Sequence, residues 1–532
     1  MQVITLYAAA LLAVTGDIVV SARPSSRTSS ASVPTGTSYP DGFDMKTSWG
    51  NLSPYKDADR FNVTKGFPTQ CELSQVHVLH RHAERYPGET IGDGLNMTIF
   101  ANKLAEYAKK NPKSKVATGP LEFLNSWEDT LGYNDLLPTG AGTEVSAGAG
   151  FWSQYGRLLY RAEGAQANWN NSLNVWPNGT ARAKPTFRTT SYPRILESAL
   201  WWLSGFFSNT DANSSSSNYN LVIIPEEDGF NNTLSPTSAC TMGAQDPVGS
   251  YDLILAYQPY VTTGALERFS NYFPTDFGLN ISDVWGMMNF CPYEYAALGA
   301  SSFCSLFTEQ EWRNFEYALD IEYYGNFGFG SPSGRAQGIG YVQELAARLE
   351  SRLIMSSDSS INYTYDDNTK DFPLHQPMYM DMTHDNTIVS VLTALGLEYF
   401  NYGPYGLPLN ATKAPRRTFH LSDIAPFGAH LDFEVWTCAD EGSLETLQPQ
   451  MYKNPDLSSE PDTQQYIRLV LNNAPVPFDG FAPCNGSVNG FCPLENFLSH
   501  ISQLTEEAQY DAACFGDYFE LTMAADGQPP SS

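Results

Sequence analysis

The stretch Gln75-Val76-His77-Val78-Leu79-His80-Arg81-His82-Ala83-Glu84-Arg85-Tyr86-Pro87 decides the fold. Its first six residues alternate in the manner of a buried strand. A histidine between two arginines then stands where that strand gives way to a loop. Loops at strand ends are where an α/β fold gathers its chemistry. A guanidinium is a planar fork for phosphate oxygens, and an imidazole set between two of them is placed to attack phosphorus.

Two later segments repeat the pattern. Met378 to Thr383 reads as a short buried strand, and Asn386 to Leu395 as a helix. Ile388, Val391, Leu392 and Leu395 share one face of that helix, and Gly396 stops it. Between strand and helix lies Thr383-His384-Asp385-Asn386. This puts a histidine and a carboxylate at a helix N-terminus, where backbone N–H groups favour an anion. Thr186-Phe187-Arg188 reads as another strand end, followed by a buried helix from Ile195 to Phe207. Arg194 competes with Arg188 as a further phosphate ligand. Arg188 is preferred, because a cation in the first turn of a helix is disfavoured unless partnered.

Other elements fit one sheet with helices around it. Thr308-Glu309-Gln310-Glu311 is a capping box opening a helix that runs to about Tyr324. Gly338 to Leu353 has helical spacing, and Leu431/Phe433/Val435 and Ile467/Leu469/Leu471 alternate as late strands. Strand–loop–helix units with long helical insertions predict an α/β sheet domain. The expected division is a signal peptide at 1–22, a Ser/Thr/Pro-rich segment at 23–45, a first α/β part at 46–223, a helical cap at 224–335, a second α/β part at 336–520 and a tail at 521–532.

Composition narrows the function. With Lys+Arg 30 against Asp+Glu 58, the 532-residue chain carries a net charge of −28. That charge excludes nucleic acid and anionic membranes as partners, and requires any phosphate site to supply its own local positive charge. The apolar run Val3 to Val14 before Val20-Ser21-Ala22 predicts secretion. Sequons at Asn51, Asn62, Asn96, Asn170, Asn178, Asn213, Asn231, Asn280, Asn362, Asn410 and Asn485 suit a glycoprotein, with Asn51 the poorest of them because Pro54 follows. The eight cysteines show no Cys-x-x-Cys. In an exported chain they predict four disulfides, with about 105 pairings open.

The Arg81–Pro87 segment resembles the Arg-His-Gly-x-Arg-x-Pro signature of the histidine acid phosphatases, the family that includes fungal phytases. Thr383–Asn386 resembles that family's His-Asp motif, and Arg188 matches its additional phosphate-binding arginine. The resemblance covers roughly residues 60 to 516. It implies a phosphoglycerate-mutase-like α/β domain under a helical cap. It also implies the disulfides Cys71–Cys438, Cys240–Cys514, Cys291–Cys304 and Cys484–Cys492. Cys71–Pro87, His384–Leu395, His430–Cys438 and Tyr466–Leu494 look most like the broad-specificity fungal acid phosphatases and phytase B-type enzymes.

The implied chemistry is hydrolysis of phosphate monoesters, phytate included as an open case, without metal or cofactor. His82 is the nucleophile. Arg81, Arg85, Arg188 and His384 hold the phosphate. Asp385 protonates the leaving alkoxide and then deprotonates the attacking water. An optimum below about pH 6 follows from the need for a protonated Asp385 and a neutral His82. Ala83 departs from the family's glycine, which is harmless if that position needs no positive φ. His77, His80 and His430 read as structural. Two other readings stand beside this one: a metal-dependent hydrolase using His80 and His82, and a catalytically inactive glycosylated binding protein of the same fold. Oligomeric state is open, a homo-oligomer included.

Overall fold

A computed structural model of the chain describes residues 42–59, 61–160, 175–176, 178–207, 218–246, 248–449, 457, 462–518, 523 and 526–530. The expected signal peptide, most of the Ser/Thr/Pro-rich segment, part of the tail, and the sequons at Asn170 and Asn213 lie outside those residues.

Ten strands are described in chain order: β1 (Phe67–Pro68), β2 (Cys71–Arg81), β3 (Thr186–Thr190), β4 (Asn220–Ile224), β5 (Met378–Thr383), β6 (His430–Cys438), β7 (Leu447–Gln448), β8 (Gln464–Leu471), β9 (Ala474–Pro475) and β10 (Phe491–Pro493). The main sheet runs β10-β8-β6-β2-β5-β3-β4, with β9 paired to β8, while β1 and β7 pair apart from it. Strands β2, β5, β3 and β4 are mutually parallel. Strands β6, β8 and β10 extend the sheet antiparallel.

The alternation of β2 sorts its side chains to two cores. Val76 and Val78 pack with Phe151 and Trp152 of α2 (Pro138–Tyr160) and Trp202 and Phe206 of α3 (Pro193–Phe206). Leu79 joins the opposite core with Ile388 and Val391 of the helix Asp385–Ala394 and Leu345 of the helix Gly334–Leu349. Each fully buried side chain such as Phe206 contributes roughly 1.5–3 kcal/mol of transfer free energy. Helices α2 and α3 approach closely through glycine: a Cβ at Gly148 would strike the Trp202 carbonyl, and one at Gly205 the Val145 carbonyl.

Residues 224–335 hold the helices Ser250–Phe269, Ile281–Leu298 and Glu309–Asn326. Thr308 and Glu311 form the reciprocal capping box at the head of the last. An earlier helix, Leu95–Lys110, packs on this group, with Lys103 Nζ 2.5 Å from Asp283 and Ser282 donating to Asn96 at 2.9 Å. The helix expected from Gly338 starts at Gly334. Gly338 lies inside it because a Cβ there would strike the Ser390 carbonyl of the neighbouring helix. All four disulfides pair as the resemblance implies: Cys71–Cys438, Cys240–Cys514, Cys291–Cys304 and Cys484–Cys492. Cys71 and Cys438 are register partners of β2 and β6. Among the described residues no helix is long and apolar enough to cross a membrane.

Candidate active site

The four parallel strands end side by side at Arg81, Thr190, Ile224 and Thr383. The residues just past those ends close round a cavity of ≈ 410 Å³ lined by Arg85, Arg194, Glu226, His384 and Asp385 among others. His82 is buried one residue beyond β2, behind the lining residue Arg194. Its backbone is pinned at both ends, the N–H donating to Thr383 at 3.0 Å and the carbonyl accepting from Gly428 at 3.1 Å. The ring is oriented as well: Nδ1 donates to the Ala83 carbonyl at 2.8 Å. In the neutral ring this leaves the lone pair on Nε2, which faces Arg194 Nε at 3.3 Å. Burial first, then Arg194, Arg81, Arg85 and His384, push the His82 pKa well below the imidazole range. The nucleophilic form therefore persists in acid.

Arg81 is fully buried beneath the floor. Its Nη1 donates to the carbonyls of Asn51 (2.6 Å) and Ala425 (2.7 Å), and its Nη2 lies 2.8 Å from Asp385 Oδ2. Arg85 reaches the cavity and pairs with Asp93 at 3.0 Å. His384 N-caps its helix; its Nε2 is 3.0 Å from Glu226 and its ring stands edge-on to His82 at 6.0 Å between centroids. Burial would raise the Glu226 pKa, but the His384 charge and hydrogen bonds outweigh it and hold the carboxyl at about 2.

Asp385 is placed at the cavity but not as the free acid expected of it. Its Oδ2 accepts from Asn51 Nδ2 (3.0 Å) and Tyr323 OH (2.9 Å) besides meeting Arg81, and Oδ1 accepts from the Asn386 N–H (2.9 Å). Burial works to raise its pKa; Arg81, the Asn51 hydrogen bond, Arg85 and His384 overcome that and hold it below the carboxylate range. In the unliganded site it is a carboxylate.

Arg188 is the clear correction. Strand β3 continues two residues past it, to Thr190, so Arg188 sits within the sheet rather than at its end. It is buried against Asp381 (2.7 Å), Glu344 (2.5 Å) and Asp366 (3.6 Å) and does not line the cavity. Arg194, set second on the helix-dipole argument, lies over His82 instead. Burial and then Arg85 lower the Arg194 pKa, and Tyr192, its ring 4.4 Å away, and Asp385 offset this only in part. An anion in the cavity would supply the missing partner.

The sequence reading missed Glu226, Asn51 and Tyr323. Glu226 carried one signal, its place two residues past the end of β4. Asn51 and Tyr323 carried none, being brought to Asp385 from a short 3₁₀ turn and from a helix. Asn51 and Asn96, two of the sequons, are buried in hydrogen bonds. His80 donates to or accepts from Glu144 at 2.9 Å and stacks on His430, away from the His82 ring's own partners, so the two imidazoles do not converge as metal ligands. Ala83 takes no positive φ, and its side chain is buried without a backbone penalty.

Comparison with known proteins agrees with this geometry. The chain is 28% identical over 478 residues to Phytase A of Aspergillus oryzae, covering 88% of this chain and 90% of that one. It is 29% identical over 463 residues to Phytase A of Emericella nidulans, covering 85% and 87%. The crystal structure of the phytase from D. castellii superposes with a TM-score of 0.66 at 20% identity, covering 93% of this chain and 92% of that one, a likeness of fold. Residues 72–472, from the start of the catalytic strand to the end of β8, match the family described as the histidine phosphatase superfamily, branch 2. The chain belongs to that family and is an enzyme that hydrolyses phosphate esters.

Proposed function

We propose that the enzyme is a secreted acid phosphomonoesterase that passes the phosphoryl group through His82. The observation that carries this reading is the fixed ring of His82, with Nδ1 anchored on Ala83 and Nε2 turned to Arg194. A monoester dianion enters between Arg85, Arg194 and His384, takes over the Arg194 contact, and presents phosphorus to Nε2. The arginines neutralise the oxygens that would otherwise repel a nucleophile. Nε2 bonds to phosphorus as the ester oxygen leaves with its electron pair.

Asp385 supplies the proton to that oxygen. It starts ionised, so its proton affinity must rise on binding. The substrate does this by placing negative charge beside it and drawing on the same arginine field. Water then attacks the phosphohistidine, and Asp385 takes its proton. The same requirement supports an acidic optimum: Asp385 needs protons at hand, whereas His82 stays neutral well into acid.

The relatives' names make phytate a proposed substrate beside simple monoesters. No lysine lines the described cavity, which favours a broad monoesterase. Secretion and glycosylation rest on the leader-like N-terminus and the sequons. Acid quenching during turnover should trap an acid-labile phosphoenzyme, and parallel rates on phytate and an aryl phosphate rank the substrates. Turnover unaffected by EDTA and dependent on His82 supports the phosphohistidine route. Loss of activity in EDTA would revive the metal reading, and no phosphate release at all would revive the inactive binding protein.

A further inference from the structure

The outer wall of the cavity differs in charge from its floor. Glu322, on the helix Glu309–Asn326, lines the cavity and is only 6% exposed. Two other carboxylates of the cavity have partners, Asp93 with Arg85 and Glu226 with His384. Among the described residues, no hydrogen bond or ion pair holds the Glu322 carboxyl. The fold keeps room for it: a Cβ at Gly92 would collide with Glu322 Oε2.

Burial first, then Asp93, Asp385 and Asp246, raise the Glu322 pKa to about 8. Tyr251 and Tyr323 face it as well, and neither brings positive charge. A cation placed here would relieve both the burial penalty and the repulsion. Tyr251 and Phe327 line the same cavity. Aromatic faces attract ammonium groups, quaternary ones included.

We propose that this wall is a subsite for the cationic end of an ammonium-bearing alcohol, so that the enzyme prefers amino-alcohol phosphate monoesters to neutral ones of equal size. The inference rests on the phosphatase reading and names a substrate class for that site. The phosphate occupies the arginines, and the ammonium sits by Glu322 and displaces its proton to solvent.

The test compares kcat/KM of the intact enzyme for phosphocholine and for its uncharged isostere, in which carbon replaces the quaternary nitrogen. A preference of roughly tenfold for the charged ester is expected near pH 6, about what one desolvated cation–π and carboxylate contact supplies. The preference should grow toward about pH 8 as Glu322 ionises more readily. Glu322→Gln should bring the ratio to within about twofold of unity, since its amide keeps the shape and loses the charge. A ratio near one in the native enzyme, or one unchanged by the substitution, overturns the subsite. So does failure to hydrolyse either ester while an aryl phosphate is turned over. Failure on the aryl phosphate too would instead overturn the phosphatase reading beneath it.

Discussion

Arg188 and Arg194 flank the same strand end and meet opposite fates. Arg188 belongs to a closed cluster under β3 and β5. Together with Arg348, 2.7 Å from Asp381, it faces Asp381, Glu344 and Asp366. Burial and then Glu344 lift the Asp366 pKa to about 9, which keeps that carboxyl neutral. Two guanidinium charges therefore meet two carboxylate charges, Asp381 and Glu344, and the Arg188 pKa is raised well above its usual value as those carboxylates outweigh burial. Around Arg194 the balance fails. Its pKa is lowered by burial and by Arg85, and its hydrogen-bond neighbour is the His82 ring. The two arginines lie on either side of one strand end, Arg188 buried within β3 and Arg194 half-buried in the first turn of α3. Ion-paired carboxylates hold the first, and among the described residues none pairs with the second, which separates a structural cation from one that waits for a ligand.

The largest expected effect breaks the reactive side of that contrast outright. His82→Ala should lower kcat by roughly 10⁴-fold or more and abolish the trapped phosphoenzyme, measured with an aryl phosphate and acid quench. Normal turnover in this variant would sink the mechanism.

Exchanging the two arginines sharpens the comparison. Arg194→Ala should cost about 10²–10³ in kcat/KM, with thermal stability held. Arg188→Ala should cost about 3–5 kcal/mol of stability, because it strands buried carboxylates, while the remaining folded enzyme keeps its kcat within a few-fold. Thermal melts and active-site titration separate the two outcomes. The reverse pattern would restore Arg188 to the site and make Arg194 a surface cation.

Asp385→Asn probes the same charge balance from the acid side. It should slow alkyl phosphates about 10²-fold more than activated aryl phosphates, because only the poor leaving group needs a proton. Equal losses would leave Asp385 a structural partner of Arg81 in the first turn of its helix, with proton transfer assigned elsewhere.

How much of this was legible follows from where the information is stored. The alternation in β2 and β5 and the motifs beyond them are local, so His82, Arg85, His384 and Asp385 could be placed before any coordinates. Arg188 failed by two residues: Thr189 and Thr190 prolong β3, and threonine suits a strand as well as a turn. That small extension turns an arginine expected at a strand end into one buried within the sheet. Helix α2 escaped notice because Gly140, Gly142, Gly148, Gly150 and Gly156 lie within it, residues that weaken a helical reading. Gly148 is there for close packing against α3, a tertiary reason with no local trace. Asn51 and Tyr323 meet Asp385 across long separations, 334 and 62 residues, which no spacing rule reaches.

The smallest expected effect concerns stability and asks whether the unpaired charge of the cavity is real. The folded Glu322 pKa is about 8, against roughly 4.3 in an unfolded chain. A carboxyl shifted upward binds more protons folded than unfolded. Its contribution is therefore fully present below about pH 4.3 and is lost as pH rises through about 8. Asp366 shifts the same way, to about 9, but titrates in native and variant protein alike and so cancels in their difference. Glu322→Gln removes only the cavity's share, so its melting temperature should fall less steeply than the native enzyme's between about pH 5 and pH 8. The two curves should diverge steadily across that window, as the native carboxyl is ionised against its burial and the amide is not. Parallel curves would mean that Glu322 already has a partner in the folded enzyme. The cavity would then be as closed in charge as the cluster around Arg188, and the distinction between them would rest on access alone.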